Sequence, residues 1–226
     1  MLEARYHLLE AGSIEDAAQI THQISRQLHT RGAWDQEYAL IHDTLSRLSA
    51  DSPSRAGLIH QLGNFARDRG DYDEAERHYQ RALEIFERLG DEAEMIWSHY
   101  QLGNIAYLRG DYNEAARQYQ RALDISERLG DQVGIATSYS QLGGLEAEKP
   151  DGSAATTVGW HVKALVMRLR LGSPLAANNL AYLAAQRREL GPEQFTGLLS
   201  EATGDPELTG AVTGLLDQFD AAEAET

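Results

Sequence analysis

The chain has 226 residues, 35 acidic against 20 basic, a formal net charge of −15 and no cysteine. So acidic a surface repels nucleic acid and anionic lipid and favours basic or neutral partners, and the lack of thiols excludes a disulfide framework and thiolate metal sites. Residues 1–11 carry Glu3, Arg5 and Glu10 in place of the apolar core of a signal peptide, and no apolar run is long enough to span a membrane, so the expectation is a cytoplasmic protein.

Leu2, Tyr6, Leu8 and Leu9 predict a short helix over 2–11, broken by Gly12-Ser13. Ser13 is a candidate N-cap, with Asp16 three residues on where a capping box carries Glu or Gln. The next helix runs to about Thr30, with Ala17, Ile20, Ile24 and Leu28 on one face. After Arg31-Gly32, the stripe Trp34, Tyr38, Ile41, Leu45 and Leu48 predicts another. Asp51-Ser52-Pro53-Ser54 is a turn and cap signal.

From His60 the chain repeats itself. Residues 60–99 and 100–139 align as two rows of forty with 24 identities. A fixed period of this length marks a stacked repeat architecture. Each row holds two helical patterns. In the first row these are Leu62, Phe65 and Ala66, then Tyr72, Ala75, Tyr79, Ala82, Leu83 and Phe86, with Gly70-Asp71 between them and Gly90-Asp91 at the end. Gly63, Ala75 and Ala82 are small where two helices must approach, and Tyr79 fills the space between neighbouring pairs. Because one helix pair cannot bury its apolar face alone, stacking supplies the core. Gly32-Ala33-Trp34 stands where Gly70-Asp71-Tyr72 stands, so residues 15–55 read as a degenerate unit behind a capping helix over 1–14.

A third unit opens at Ser140-Gln141-Leu142-Gly143. Its inter-helix turn, Glu148-Lys149-Pro150-Asp151-Gly152, is about two residues longer than its counterparts, and Gly172 duly falls 42 residues after Gly130. Three units thus cover 56–172. Residues 173–226 read as capping helices: a stripe of Leu175, Leu180, Leu183 and Ala184, a helix after Gly191-Pro192 and a last one after Asp205-Pro206, frayed from Ala221 to Thr226. No segment alternates with period two, so no strand is predicted.

Leu62, Gly63, Gly70, Tyr72, Ala75, Tyr79, Ala82 and Leu83, with their copies forty residues on, resemble the tetratricopeptide repeat (TPR) family. The family's usual unit is 34 residues and ends in Pro, whereas Glu87 and Glu127 stand there in this chain. The forty-residue spacing is similar to a longer subtype found in G-protein-signalling modulators, kinesin light chains and the C-terminal sensor regions of bacterial STAND proteins (signal-transduction ATPases with numerous domains). The wording around Gln80-Arg81-Ala82-Leu83 is most like the last. The resemblance implies an all-α, right-handed helical solenoid of roughly twelve antiparallel helices. It further implies a protein- or peptide-recognition module that binds its partner in the concave groove, as the sensor or scaffold segment of a bacterial signalling protein. A free-standing peptide-responsive regulator and a self-assembly module are the alternatives.

No catalysis, cofactor or metal is expected. The only lysines, Lys149 and Lys163, follow no phosphate-binding loop. Eight histidines offer no pair at the helical i, i+4 spacing that would seat a zinc ion. Arg69-Gly70-Asp71 and Arg109-Gly110-Asp111 spell an integrin-type tripeptide, but Gly-Asp here is ordinary turn chemistry. In the family, the first helix of each unit lines the groove. By spacing, that face carries His60, Asn64 and Arg67, then Trp97, Tyr100, Asn104, Tyr107 and Leu108, then Ser140. Asn64 and Asn104 are suited to gripping main-chain amides, and the aromatics to supplying rigid contact area.

Overall fold

A computed structural model describes residues 1–224 of the chain. It contains twelve α-helices and no strand among the described residues, an all-α helical solenoid. The helices form two compact units, residues 1–109 and the described residues from 110 onward.

The first unit holds α1 (Leu2–Glu10), α2 (Ile14–Thr30), α3 (Trp34–Leu45), α4 (Pro53–Asp68), α5 (Tyr72–Leu89) and α6 (Glu92–Leu108). Successive helices pack on one another, and α2 also packs on α4. One core gathers Ile41, Leu45, Leu58, Leu62, Ile85 and Phe86, and a second gathers Ala66, Ala75, Tyr79, Leu102 and Ile105. Close approach of α4 and α5 depends on Gly63, where a Cβ would lie 2.5 Å from the Tyr79 ring. Arg5, buried on α1, ties the first three helices together: it donates to Thr21, Thr44 and Asp43.

The second unit holds α7 (Tyr112–Leu129), α8 (Gln132–Glu148), α9 (Ala154–Arg170), α10 (Ala176–Leu190), α11 (Pro192–Thr203) and α12 (Pro206–Ala224). Its core joins Val158, Val162 and Leu165 of α9 to Leu183, Phe195, Leu199 and Leu216 of the last three helices. The C-terminal helices therefore close the end of the stack over α9.

The recurring Gly-Asp pair performs two tasks. Gly70, Gly90, Gly110 and Gly130 take positive φ, which lets the chain leave each helix without a Cβ clash. The Asp that follows accepts a backbone N–H of the next helix: Asp71 from Glu74, Asp91 from Glu94, Asp111 from Glu114 and Asp131 from Val133. Ser52 and Ser153 cap α4 and α9 in the same way.

Several local expectations change. Ser13 precedes α2 but its side chain makes no cap bond. The α3 helix stops at Leu45, and Leu48 reaches the core from the turn beyond it. The longer turn of the third unit spans 149–153, where a Cβ at Gly152 would run into the Glu146 carbonyl. Leu175 precedes α10 and is exposed rather than part of its buried stripe. Ala221–Ala224 continue α12, while Glu225 and Thr226 lie outside the described residues.

Candidate functional site

Within the first unit, α2, α4 and α6 share one face, joined at its edge by Glu37 of α3. Arg26, His29, Thr30, Glu37, Gln61, Asn64, Arg67 and Gln101 enclose a cavity of about 270 Å³ there. Gln101 organises its wall. Its carbonyl oxygen accepts from Arg67 Nη1 at 3.1 Å and Asn104 Nδ2 at 3.0 Å, while its amide nitrogen donates to Asn64 Oδ1 at 3.1 Å. Asn64 Oδ1 also accepts from the Tyr79 hydroxyl at 2.9 Å, and burial of that phenol pushes its pKa up. The Asn64 Nδ2 donors make no hydrogen bond among the described residues, so the amide is oriented by its carbonyl and presents its donors.

The opposite wall is ionic. His29 bridges two carboxylates, Nδ1 3.0 Å from Glu37 Oε2 and Nε2 2.7 Å from Asp68 Oδ2. Burial opposes the charged ring, but the hydrogen bonds to Asp68 and Glu37 outweigh it and raise the His29 pKa. Glu37 is only 2% exposed, and its other oxygen accepts from Ser25 at 2.7 Å. Arg67 pairs with Asp68. Arg26 makes no ion pair among the described residues, so it is the one cation of the cavity without a carboxylate.

The other expected groove residues divide. Trp97 is 53% exposed with its ring 5.8 Å from Tyr100, and Tyr107 and Leu108 are exposed further along α6. Tyr100 is only 4% exposed, so it packs in the core side of α6 and offers little contact area. His60 is partly buried with its ring 5.1 Å from that of Tyr79; desolvation lowers its pKa to about 4, and its Nε2 has no hydrogen-bond partner among the described residues. Ser140 belongs to the second unit, where its hydroxyl accepts from Asn179 Nδ2 at 3.0 Å. Among the described residues, no group of three His, Cys, Asp or Glu side chains is arranged to hold a metal ion, and no helix is long and apolar enough to cross a membrane.

Arg26, His29, Gln61 and Gln101 were not among the expected site residues. Arg26 and His29 lie on the degenerate unit, where the match of Gly32-Ala33-Trp34 to Gly70-Asp71-Tyr72 sets them level with Asn64 and Arg67. The glutamines had a signal: Gln61, Gln101 and Gln141 recur at the forty-residue period.

The tetratricopeptide repeat family model matches residues 54–128 and 94–150. Residues 54–150, somewhat less than half of the chain, thus match tetratricopeptide repeats. Tetratricopeptide repeats are protein-interaction modules, and α5 to α8, with all of α4 but its first residue and the wall formed by Asn64, Arg67 and Gln101, fall within the matched span. No curated protein matches the chain. Among solved structures, BtubC (BKLC) from P. vanneervenii superposes with a TM-score of 0.75 at 20% identity, over 99% of this chain and 88% of that one. The apo form of RapI gives a TM-score of 0.70 at 13% identity, over 82% of this chain and 68% of that one. A STAND protein from Pyrococcus horikoshii with a tetratricopeptide repeat sensor gives 0.69 at 16% identity. This chain is covered to 91% in that match and spans 32% of the larger protein. At these identities the likeness is one of fold.

Proposed function

We propose that the chain recognises an extended segment of a partner protein on the shared face of α2, α4 and α6, and that it carries out no catalysis itself. The observation that supports this best is the amide row of the cavity. Asn64 is locked through its carbonyl by Tyr79 and Gln101, which leaves its N–H donors for a main-chain carbonyl of the partner. Arg26 supplies a second donor beside it. Trp97, Tyr107 and Leu108 then cover the segment where it leaves the cavity, with Trp97 the anchor because it is the largest exposed ring on α6. His60, Arg67, Asn104 and the buried Tyr100 act beneath them, holding the groups that touch the partner.

The segment that fits is neutral within the cavity and neutral or basic outside it. A net charge of −15 draws cations from a distance, while Arg26 and Arg67 make the cavity itself a poor seat for a lysine or arginine. The likeness to a STAND protein with a tetratricopeptide repeat sensor supports a sensor or scaffold role in a signalling protein, and the fold and charge suit the cytoplasm. The rival reading, self-assembly of stacked repeats, makes a different demand: molar mass by light scattering would rise with concentration. Binding of a partner peptide by wild type and by Asn64→Ala, followed by calorimetry, tests the recognition reading. Retained affinity in a folded Asn64→Ala variant would defeat it.

A further inference from the structure

The second unit contains a buried hydrogen-bond donor at a place where the repeat's Asn acceptor is replaced by glycine. His161 occupies in the third repeat the place that Tyr79 holds in the first: a Cβ at Gly63 would meet the Tyr79 ring, and a Cβ at Gly143 would meet His161 Nε2 and Cδ2 at 2.9 Å. In the first repeat the ring's polar tip is satisfied by the next residue along, since the Tyr79 hydroxyl donates to Asn64. In the third repeat that next residue is Gly144, which has no side chain to accept anything.

The protonation of His161 follows from its neighbours. Arg168 Nη1 donates to Asn179 Oδ1 at 2.6 Å, which fixes the amide so that Nδ2 is the group facing His161 Nδ1 at 3.1 Å and Ser140 at 3.0 Å. An amide N–H needs an acceptor, so Nδ1 carries the lone pair and the ring proton sits on Nε2. Burial, with the Arg168 charge beside it, lowers the pKa of this imidazole to about 4, so the neutral ring persists at neutral pH. His161 is 1% exposed, and Nε2 has no hydrogen-bond partner among the described residues. A buried N–H left without an acceptor forfeits the hydrogen bond that water gives it in the unfolded chain. Over it lies Tyr182, its ring stacked on the imidazole at 4.5 Å and 14° but itself 49% exposed. The Tyr182 hydroxyl is also the nearest side-chain atom to a Cβ built on Gly144, at 3.9 Å.

We propose that the third repeat is a binding subsite for a carbonyl-type oxygen, which enters beside Gly144 under a displaced Tyr182 and accepts the His161 Nε2 proton in the place of the missing Asn side chain. The oxygen is a peptide carbonyl or a carboxylate. Either satisfies the donor, and the half-exposed Tyr182 is the cover that must swing aside.

Nuclear magnetic resonance of the full chain tests this, with N-methylacetamide as the peptide-carbonyl probe and acetate as the carboxylate probe. In wild type, at least one probe should shift the His161 Nε2–H resonance and the Tyr182 ring signals saturably. N-methylacetamide acting alone identifies a main-chain ligand, and acetate acting alone identifies an acidic side chain or chain terminus. Gly144→Asn restores the acceptor from within the chain and should abolish the response, with melting at or above that of wild type as evidence of folding. Tyr182→Ala, which removes the cover, should retain it. The proposal is overturned by a proton found on Nδ1, by a donor that contacts ordered water while neither probe moves it, or by equal responses in wild type and Gly144→Asn.

Discussion

Gly63→Ala and Gly57→Ala make the same chemical change on the same helix, α4, and should shift stability in opposite directions. At Gly57 an added Cβ meets nothing within 4 Å. Alanine there reduces the backbone entropy lost on folding and should stabilise by about 0.5–1 kcal/mol. At Gly63 the Cβ would lie 2.5 Å from Tyr79 Cε1 and 2.6 Å from Cδ1. Carbon atoms pack at about 3.5–4.0 Å, so the ring must retreat by about 1 Å. Tyr79 has nowhere to go: it is fully buried among Ala66, Ala75, Leu102 and Ile105, and its hydroxyl is held by Asn64. Overpacking of this kind costs about 1–3 kcal/mol, and loss of the hydroxyl bond about 1 more, against which the helix-propensity gain is the smaller term. For a chain of this size each kcal/mol moves Tm by about 2–4 °C. Calorimetry should therefore show Gly57→Ala melting slightly above the parent and Gly63→Ala several degrees below it. A Gly63→Ala protein that melts with or above Gly57→Ala would refute the packing assigned to α4 and α5.

Other expectations can be checked in parallel. Ala75→Leu inserts three carbons at a fully buried position in the same core and should lower stability by about 1–3 kcal/mol in a denaturant titration. His60 and His161, each lowered to about 4 against an unfolded value near 6.5, are neutral in the folded chain. Unfolding takes up their protons, so stability should be complete above pH 6.5 and fall as the pH drops towards 4; His161→Gln should flatten that acid slope. His29 has the opposite sign. Its raised pKa stabilises fully below 6.5 and is lost as pH rises through the folded value, so His29→Gln should flatten the alkaline side of the Tm profile. Trp97→Ala, at an exposed position, should leave Tm nearly unchanged and weaken partner binding by about 2 kcal/mol or more in titration calorimetry.

The fold was legible because three signals agreed. Apolar spacing, the forty-residue period and the Gly-Asp pairs all place helix ends where they are found, from Asp71 to Asp131. Boundaries were missed where the repeat is degenerate: α3 ends before Leu48, and Leu175 lies outside α10. The site was legible only in part. Asn64 and Arg67 could be placed because they sit on a clean repeat. Helical spacing put Tyr100 on the same face as Asn104, but it does not report how deep a side chain sits, and Tyr100 turned out to be core. His29 meets Asp68 from 39 residues away, a partnership that only the packing of α2 on α4 creates. The unsatisfied His161 is likewise invisible in one repeat and emerges when the third is laid on the first.

The most direct measurement is a hydrogen–deuterium exchange footprint of the chain bound to a partner recovered from cell extract and confirmed by titration with purified components. Protection should concentrate on α2, α4 and α6, around Arg26, Asn64, Trp97 and Gln101, and should disappear together with binding in the Asn64→Ala, Trp97→Ala double variant. Protection confined to α3 and α5, with the double variant binding as tightly as wild type, would contradict recognition through the α2, α4 and α6 face.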